Sequence, residues 1–327
     1  MVKKRALLSA ALVLAAAPGF SFLATGSSAA EAYPSRAIHF IVPFPGGPSD
    51  VIARLYAQKL SEHWKQPAVV ENRAGATGTI GTEAVVRAAA DGYTLLFTVE
   101  LPITMAPSLL KLHYDPQQDL VPVAAVAETE NVLVATPSAG IRSVGDLVAA
   151  AKSRPGKLTF ASAGYGSPAH LCGEMIKRQA GIDMVHVPYS AAAPAMNAIL
   201  SGDVTLFCGP IGAALSFIKA GKAYALGVTG PNPSSLLPDV APLAASYPGL
   251  VISNWFGLLA PAHTPALVRD MLQDEFRAIS ADAELQRKLL AIGLEPTWIS
   301  GADLAKRIMS DTAKWHEFMA AADIHAD

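Results

Sequence analysis

Three short glycine-bearing segments hold the residues whose types and spacing could do chemistry. The first is Phe44-Pro-Gly-Gly-Pro-Ser-Asp50, directly after the apolar run from Ile38 to Val42. The second is Ala74-Gly-Ala-Thr-Gly-Thr-Ile-Gly81, after Val69-Val-Glu-Asn-Arg73. The third is Ser162-Ala-Gly-Tyr-Gly-Ser-Pro168, after Leu158-Thr-Phe-Ala161. Each reads as a strand, a glycine turn and a helix start, with Ser49 or Asp50 placed to cap the first helix. The first-turn N–H groups of a helix have no partner within it, and glycines let a ligand approach the backbone closely. Such a unit suits an anion, phosphate or carboxylate.

Catalytic readings of the same residues fail. Gly164-Tyr-Gly166-Ser-Pro-Ala169 fits the G-x-G-x-x-A dinucleotide pattern, which needs an acid about twenty positions on to hold a ribose. That region is His186-Val-Pro-Tyr-Ser190, without an acid, and Asp183 comes too early. There is no G-x-S-x-G nucleophile elbow and no P-loop. Ser167 and His170 lie on adjacent turns without an orienting acid, so His170 is expected to bond loop backbone near its helix start. His170 and Glu174 share a helix face, yet no third metal ligand is evident. The expectation is a binding protein that is not an enzyme, with no cofactor and no metal.

The elements that must position these turns alternate between short apolar runs and alanine-rich helical segments, as in an α/β protein with largely parallel sheets. Candidate strands are 38–43, 67–71, 93–98, 121–127, 131–135, 157–161, 184–187, 203–208, 223–228 and 255–260. Candidate helices are 50–64, 79–90, 143–152, 168–180, 191–201, 211–220, 265–280, 283–292, 301–309 and 311–322. Parallel sheets gather such turns at the carboxyl ends of their strands, where open α/β proteins bind ligands.

Residues 1–30 read as a signal peptide. Lys3-Lys4-Arg5 is a basic n-region, Ala6 to Ala17 an apolar h-region, and small residues allow cleavage after Ala30 or Ala32. The alternative is a retained anchor, but Pro18 and Gly19 interrupt the run too soon for a membrane span. The mature chain is expected to be exported to the periplasm. Without the leader's basic residues the formal net charge moves from −2 to about −5, and no basic cluster is left for nucleic acid. Cys172 and Cys208 are too few for a disulfide framework; they are either a single pair or two buried thiols.

From Tyr33 to the C-terminus the chain resembles the Bug family, the periplasmic solute-binding proteins of tripartite tricarboxylate transporters. The resemblance rests on Tyr33-Pro-Ser-Arg36, on the first two turns, on Asp91-Gly-Tyr-Thr-Leu95 and on Ala161-Ser-Ala-Gly-Tyr-Gly-Ser167 with His170-Leu171. It continues through His186-Val-Pro-Tyr189, Ile218-Lys-Ala-Gly221 and Trp255-Phe-Gly-Leu-Leu-Ala-Pro261. It implies a two-lobed Venus-flytrap fold, each lobe a mixed, largely parallel sheet flanked by helices, with a small carboxylate held between them. Residues 33–133 and 229–327 would form one lobe and 134–228 the other, with hinges near Val134–Ser138 and Tyr224–Val228. Carried over by position, one ligand carboxylate would be gripped by Phe44, Pro45, Gly46, Gly47 and Ser49 with Ala76, Thr77 and Gly78. Thr98 to Pro102 would line the cleft, and Ser162, Gly164, Gly166, Ser167 and Tyr189 would close over it. The implied partners are membrane transporter subunits, served by a monomer. A ligand-presenting sensory protein would use the same pocket.

Three departures from the family pattern stand out. The first turn is one residue shorter than V-P-F-x-x-G-G-x-x-D. The usual G-T-S-G-T loop is replaced by Thr98-Val-Glu-Leu-Pro102, and Cys208-Gly-Pro210 stands where an acid or amide is common. These put Glu100 and Cys208 among the expected ligand-binding residues. Glu100 would either face an amino, amide or hydroxyl group of the ligand or point to solvent at the cleft rim.

Overall fold

The computed structural model describes residues 33–324. The signal-peptide reading lies outside the described residues. The strands are β1 (Ile38–Val42), β2 (Ala68–Asn72), β3 (Thr94–Val99), β4 (Leu120–Ala135), β5 (Thr159–Ser162), β6 (Val185–Pro188), β7 (Leu206–Pro210), β8 (Tyr224–Val228), β9 (Ser253–Pro261) and β10 (Glu295–Ser300). Between the first four strands run α1 (Pro48–Trp64), α2 (Thr79–Val86), α3 (Ala106–Leu109) and α4 (Pro116–Asp119). The middle of the chain adds α5 (Val144–Ser153), α6 (Pro168–Ala180), α7 (Ala192–Ser201) and α8 (Ile211–Lys219). The last part adds α9 (Ala266–Ser280), α10 (Ala283–Ala291) and α11 (Gly301–Ala321).

The order β2-β1-β3-β9-β4-β7-β5-β6 makes one mixed sheet, with β8 and β10 also pairing with β4. Pairing is parallel in each wing, among β1, β2 and β3 and among β5, β6 and β7. Around β4 and β9 it is antiparallel. Parallel wings need helical crossovers, and these cover the faces of β1 and β5, whose residues are mostly buried.

β4 corrects the expectation of two strands at 121–127 and 131–135. It is a single strand of 16 residues that exchanges its neighbours midway. Up to Glu130 it pairs with β9, and from Asn131 onward with β7 and β8. The polar run Glu128-Thr-Glu-Asn131 reads as a break, but Glu128 pairs with Arg307 of α11 and Asn131 N–H donates to Thr229 Oγ1 at 2.9 Å. Charge and hydroxyl partners from distant elements therefore let the strand run on.

α11 likewise replaces two expected helices, 301–309 and 311–322. Ser310 does not interrupt it, because its hydroxyl returns to Arg307 O at 2.9 Å. Leu304 and Ile308 of α11 pack with Ile41, Leu96, Trp255 and Leu259 in the core of the first sheet half. Trp315 and Met319 pack with Leu133, Phe160, Cys172 and Cys208 in a core of the second half. One helix thus buries side chains in both halves, each large one contributing roughly 1.5–3 kcal/mol. β10 is absent from the sequence expectation: it is short, carries Pro296 and is half-buried throughout.

Candidate functional site

The first turn begins where β1 ends. Gly46 has φ +69°, the left-handed region that glycine enters without steric cost. α1 starts at Pro48 with Gly47 before it and no side-chain cap, which corrects the expectation that Ser49 or Asp50 caps it. Asp50 instead reaches back and accepts from Gly46 N–H at 2.9 Å, from Asn72 Nδ2 at 3.0 Å and from Arg54 at 3.0 Å. Burial opposes ionisation of Asp50, but the bonds from Asn72, Gly46 and Arg54 outweigh it and hold the carboxyl below its usual range. Gly46 N–H is therefore already taken, and Gly47 N–H donates to Phe44 O at 3.3 Å. The turn is a fixed shape braced by Asp50, with Pro45 and Gly46 exposed and Ser49 buried.

The second turn holds four consecutive residues at positive φ: Gly75 at +128°, Ala76 at +45°, Thr77 at +57° and Gly78 at +88°. For Ala76 and Thr77 this is a strained backbone, costing on the order of 1 kcal/mol or more each. Thr79 Oγ1 donates to Ala76 O at 2.8 Å and Thr82 Oγ1 to Gly78 O at 2.9 Å, which helps hold the loop. A Cβ on Gly78 would fall 2.8 Å from Phe44 Cζ. Glycine here lets the Phe44 ring lie on the backbone of the second turn, so the two turns are in contact. Ala76 and Thr77 stay exposed beside them.

The third turn is held mostly by its own side chains. Ser162 is fully buried; its hydroxyl lies 2.6 Å from His186 Nε2, donates to Gly164 O at 3.0 Å and accepts from Gly164 N–H at 3.1 Å. Ser167 caps α6 through His170 N–H at 3.3 Å and donates to Gly164 O at 2.7 Å. Gly166 N–H donates to His170 Nδ1 at 3.1 Å, the loop-backbone bond expected of His170. That nitrogen must keep its lone pair, so the ring is neutral. Burial pushes His170 down to about 4, with Lys177 adding to it. His186 stacks on His170 with centroids 4.0 Å apart and also lies near 4, from burial first and then from His170. The half-buried Tyr189 donates its backbone N–H to Ser162 O at 3.0 Å. Ser162 and Ser167 thus shape the loop, while Ala163 and Tyr165 are exposed. Sequence reasoning assigned no role to His186; its place three residues before Tyr189 was the available signal.

Leu109 was also not anticipated. A Cβ on Gly166 would fall 2.4 Å from Leu109 Cδ1, so the third turn meets the segment that follows β3.

Three expected cleft residues are buried in the protein interior. Cys208 is corrected: its sulfur is bonded to Cys172 and its side chain is buried in the core between β7 and α6. Thr98 is fully buried, its hydroxyl directed to Val99 O at 3.3 Å. Glu100 does not point to solvent at the cleft rim, which removes one of its two readings. It is 1% exposed, accepts from Trp315 Nε1 at 2.7 Å and from Thr104 Oγ1 at 3.2 Å, and borders a cavity that none of the three turns lines.

A family model described as "Tripartite tricarboxylate transporter family receptor" (TctC) matches residues 52–324. The chain belongs to the TctC family. Its TctC relatives include the protein BugT of Bordetella pertussis, 36% identical over 89% of this chain and 91% of that protein. The structure of Rpa4515 from R. palustris with adipate is 32% identical, covering 89% of this chain and 99% of that one, with a TM-score of 0.78. MatC from Rhodopseudomonas palustris with bound malate is 28% identical, covering 88% and 99%, with a TM-score of 0.75. TctC proteins are periplasmic solute-binding proteins, and this chain shares the two-lobed α/β fold of its structural neighbours. Among the described residues no helix is long and apolar enough to cross a membrane.

Proposed function

We propose that the protein captures a small carboxylate between its two lobes in the periplasm and delivers it to a tripartite tricarboxylate-type membrane transporter. The observation that carries this reading is the likeness, over nearly the whole chain, to Rpa4515 with adipate and to MatC with bound malate. The strained second turn supports it, since backbone held at cost beside an exposed surface is the mark of a preformed site. Phe44, Pro45, Gly47, Ala76 and Thr77 form one jaw. Gly164, Gly166 and Tyr189 belong to the other, whose shape is set by Ser162, Ser167, His170 and His186.

Residues 33–133 and 229–327 form one lobe and 134–228 the other. The exchange of partners at Asn131 supports a crossing at that level, where strain from lobe closure would be absorbed. The protein works as a monomer, without a cofactor and without turning its ligand over, after its leader is removed.

A thermal-shift screen against mono-, di- and tricarboxylates tests this. A cognate ligand at a hundredfold excess over its Kd stabilises the folded state by about 2.7 kcal/mol and raises Tm by several degrees. A broad panel that gave no shift, while one compound was chemically converted, would replace binding with catalysis.

A further inference from the structure

Among the described residues Tyr165 is the one Phe, Tyr or Trp side chain that is exposed, at 58%, and it stands at the tip of the third turn. Its ring is braced from behind. It lies edge-on to His170 at 5.4 Å and to His186 at 5.0 Å, with interplanar angles of 78° and 88°. Those two imidazoles stack at 4.0 Å, and His186 stacks in turn on the buried Phe160 ring at 4.9 Å. Gly166, the next residue, comes against Leu109 of the segment that follows β3. The start of that segment, Leu101–Met105, packs on the second turn. The tip of the third turn is therefore aimed toward the side of the molecule that carries the other two. A side chain already held in place loses little freedom when a ligand covers it.

The chain around Tyr165 offers a second carboxylate little. Residues 161–170 and 185–194 contain no Lys or Arg. His170 and His186 are neutral, since burial lowers both to about 4. The N–H groups of Gly164, Gly166 and Ser167 are spent within the turn, on Ser162 Oγ, His170 Nδ1 and Gly164 O. The hydroxyls of Ser162 and Ser167 are spent on Gly164 O. α7 starts at Ala191 without a side-chain cap, but one exposed helix end strengthens anion binding only about two- to fivefold. A ring laid against Tyr165 contributes more, about tenfold, from apolar area and ring contact together. We propose that Tyr165 selects the ligand, which is an aromatic monocarboxylate with its carboxylate on the first two turns and its ring against Tyr165. This rests on the carboxylate capture proposed above and names the ligand class of that same site.

The test is calorimetric titration of the protein with benzoate, phenylacetate and cinnamate, and with the dicarboxylates succinate and adipate. The tightest aromatic acid should bind more strongly than either dicarboxylate. Tyr165→Phe should hold its affinity within about twofold, and Tyr165→Ser should weaken it about tenfold. Any dicarboxylate that binds should change by less than about twofold in both variants. Thermal unfolding of each variant shows that it is folded, as expected for a change at an exposed ring. The inference is overturned if a dicarboxylate binds as tightly as the aromatic acids, or if Tyr165→Ser weakens both classes equally or neither. Carboxylate capture survives each of those results. If none of the five acids binds, the capture reading falls and the role of Tyr165 falls with it.

Discussion

Trp315 Nε1 donates a 2.7 Å hydrogen bond to Glu100 Oε1 between residues 215 apart in sequence, both almost wholly buried. The bond ties α11 to the segment that leaves β3. Trp315→Phe keeps an aromatic ring in the core but withdraws the donor, leaving Glu100 only Thr104. The variant should lose about 1–3 kcal/mol, read as a lower urea midpoint at unchanged slope. A midpoint equal to wild type would mean that water replaces the indole donor without cost.

Glu100 should also leave a signature in the pH dependence of stability. Burial raises its folded value from 4.5 to about 7. Between those values the native state holds more protons than the unfolded chain, so this contribution is full at low pH and is lost as pH rises through 7. His170 and His186, lowered from 6.5 to about 4, act with the opposite sign. The difference between Glu100→Gln and wild type isolates the glutamate. From pH 4.5 to pH 8 that difference should shift in favour of the variant by on the order of 2–3 kcal/mol. Urea midpoints across that range measure it, and a flat difference would contradict the assignment.

The approach of Gly166 to Leu109 would make the proposed lobe closure sensitive to a single methyl group. In Gly166→Ala the new Cβ would stand 2.4 Å from Leu109 Cδ1, at a residue with φ +68°. Carboxylate Kd should rise about tenfold. Adding Leu109→Ala should recover most of that loss while the backbone strain, on the order of 1 kcal/mol, persists in the folding stability. Equal weakening with and without Leu109 would show that the loop's own conformation is at fault.

Cys172 and Cys208 close a loop with a sequence separation of 36 residues. In the chain-entropy view, the Cys172→Ala/Cys208→Ala protein should be less stable than the oxidised protein by about 3–4 kcal/mol. Carboxylate affinity should stay near wild type, because the bond lies in the core that joins α6 to β7. A large loss of affinity with little loss of stability would place the pair in the ligand site after all.

Much of this fold was legible because its signals are local. Apolar runs ending in glycine turns marked β1, β2 and β5, and the turns reappear with Gly46, Gly75, Gly78, Gly164 and Gly166 at positive φ. The edges of α5, α6, α7 and α9 fall within a residue or two of their expected places because caps and periodicity set them.

What the sequence alone determined was most of the strands and helices, the three turns and the family to which they belong, since backbone freedom and hydrophobic period act over a few residues. Tertiary structure alone decided the rest. It carried β4 through Glu128-Thr-Glu-Asn131 by bringing Arg307 and Thr229 alongside, and turned Asp50 from a helix cap into a brace for Gly46. It joined Cys172 to Cys208, and sent Glu100 to Trp315 and its cavity. Each of these outcomes depends on which distant partner reaches a polar group or thiol first, and spacing along the chain does not encode that.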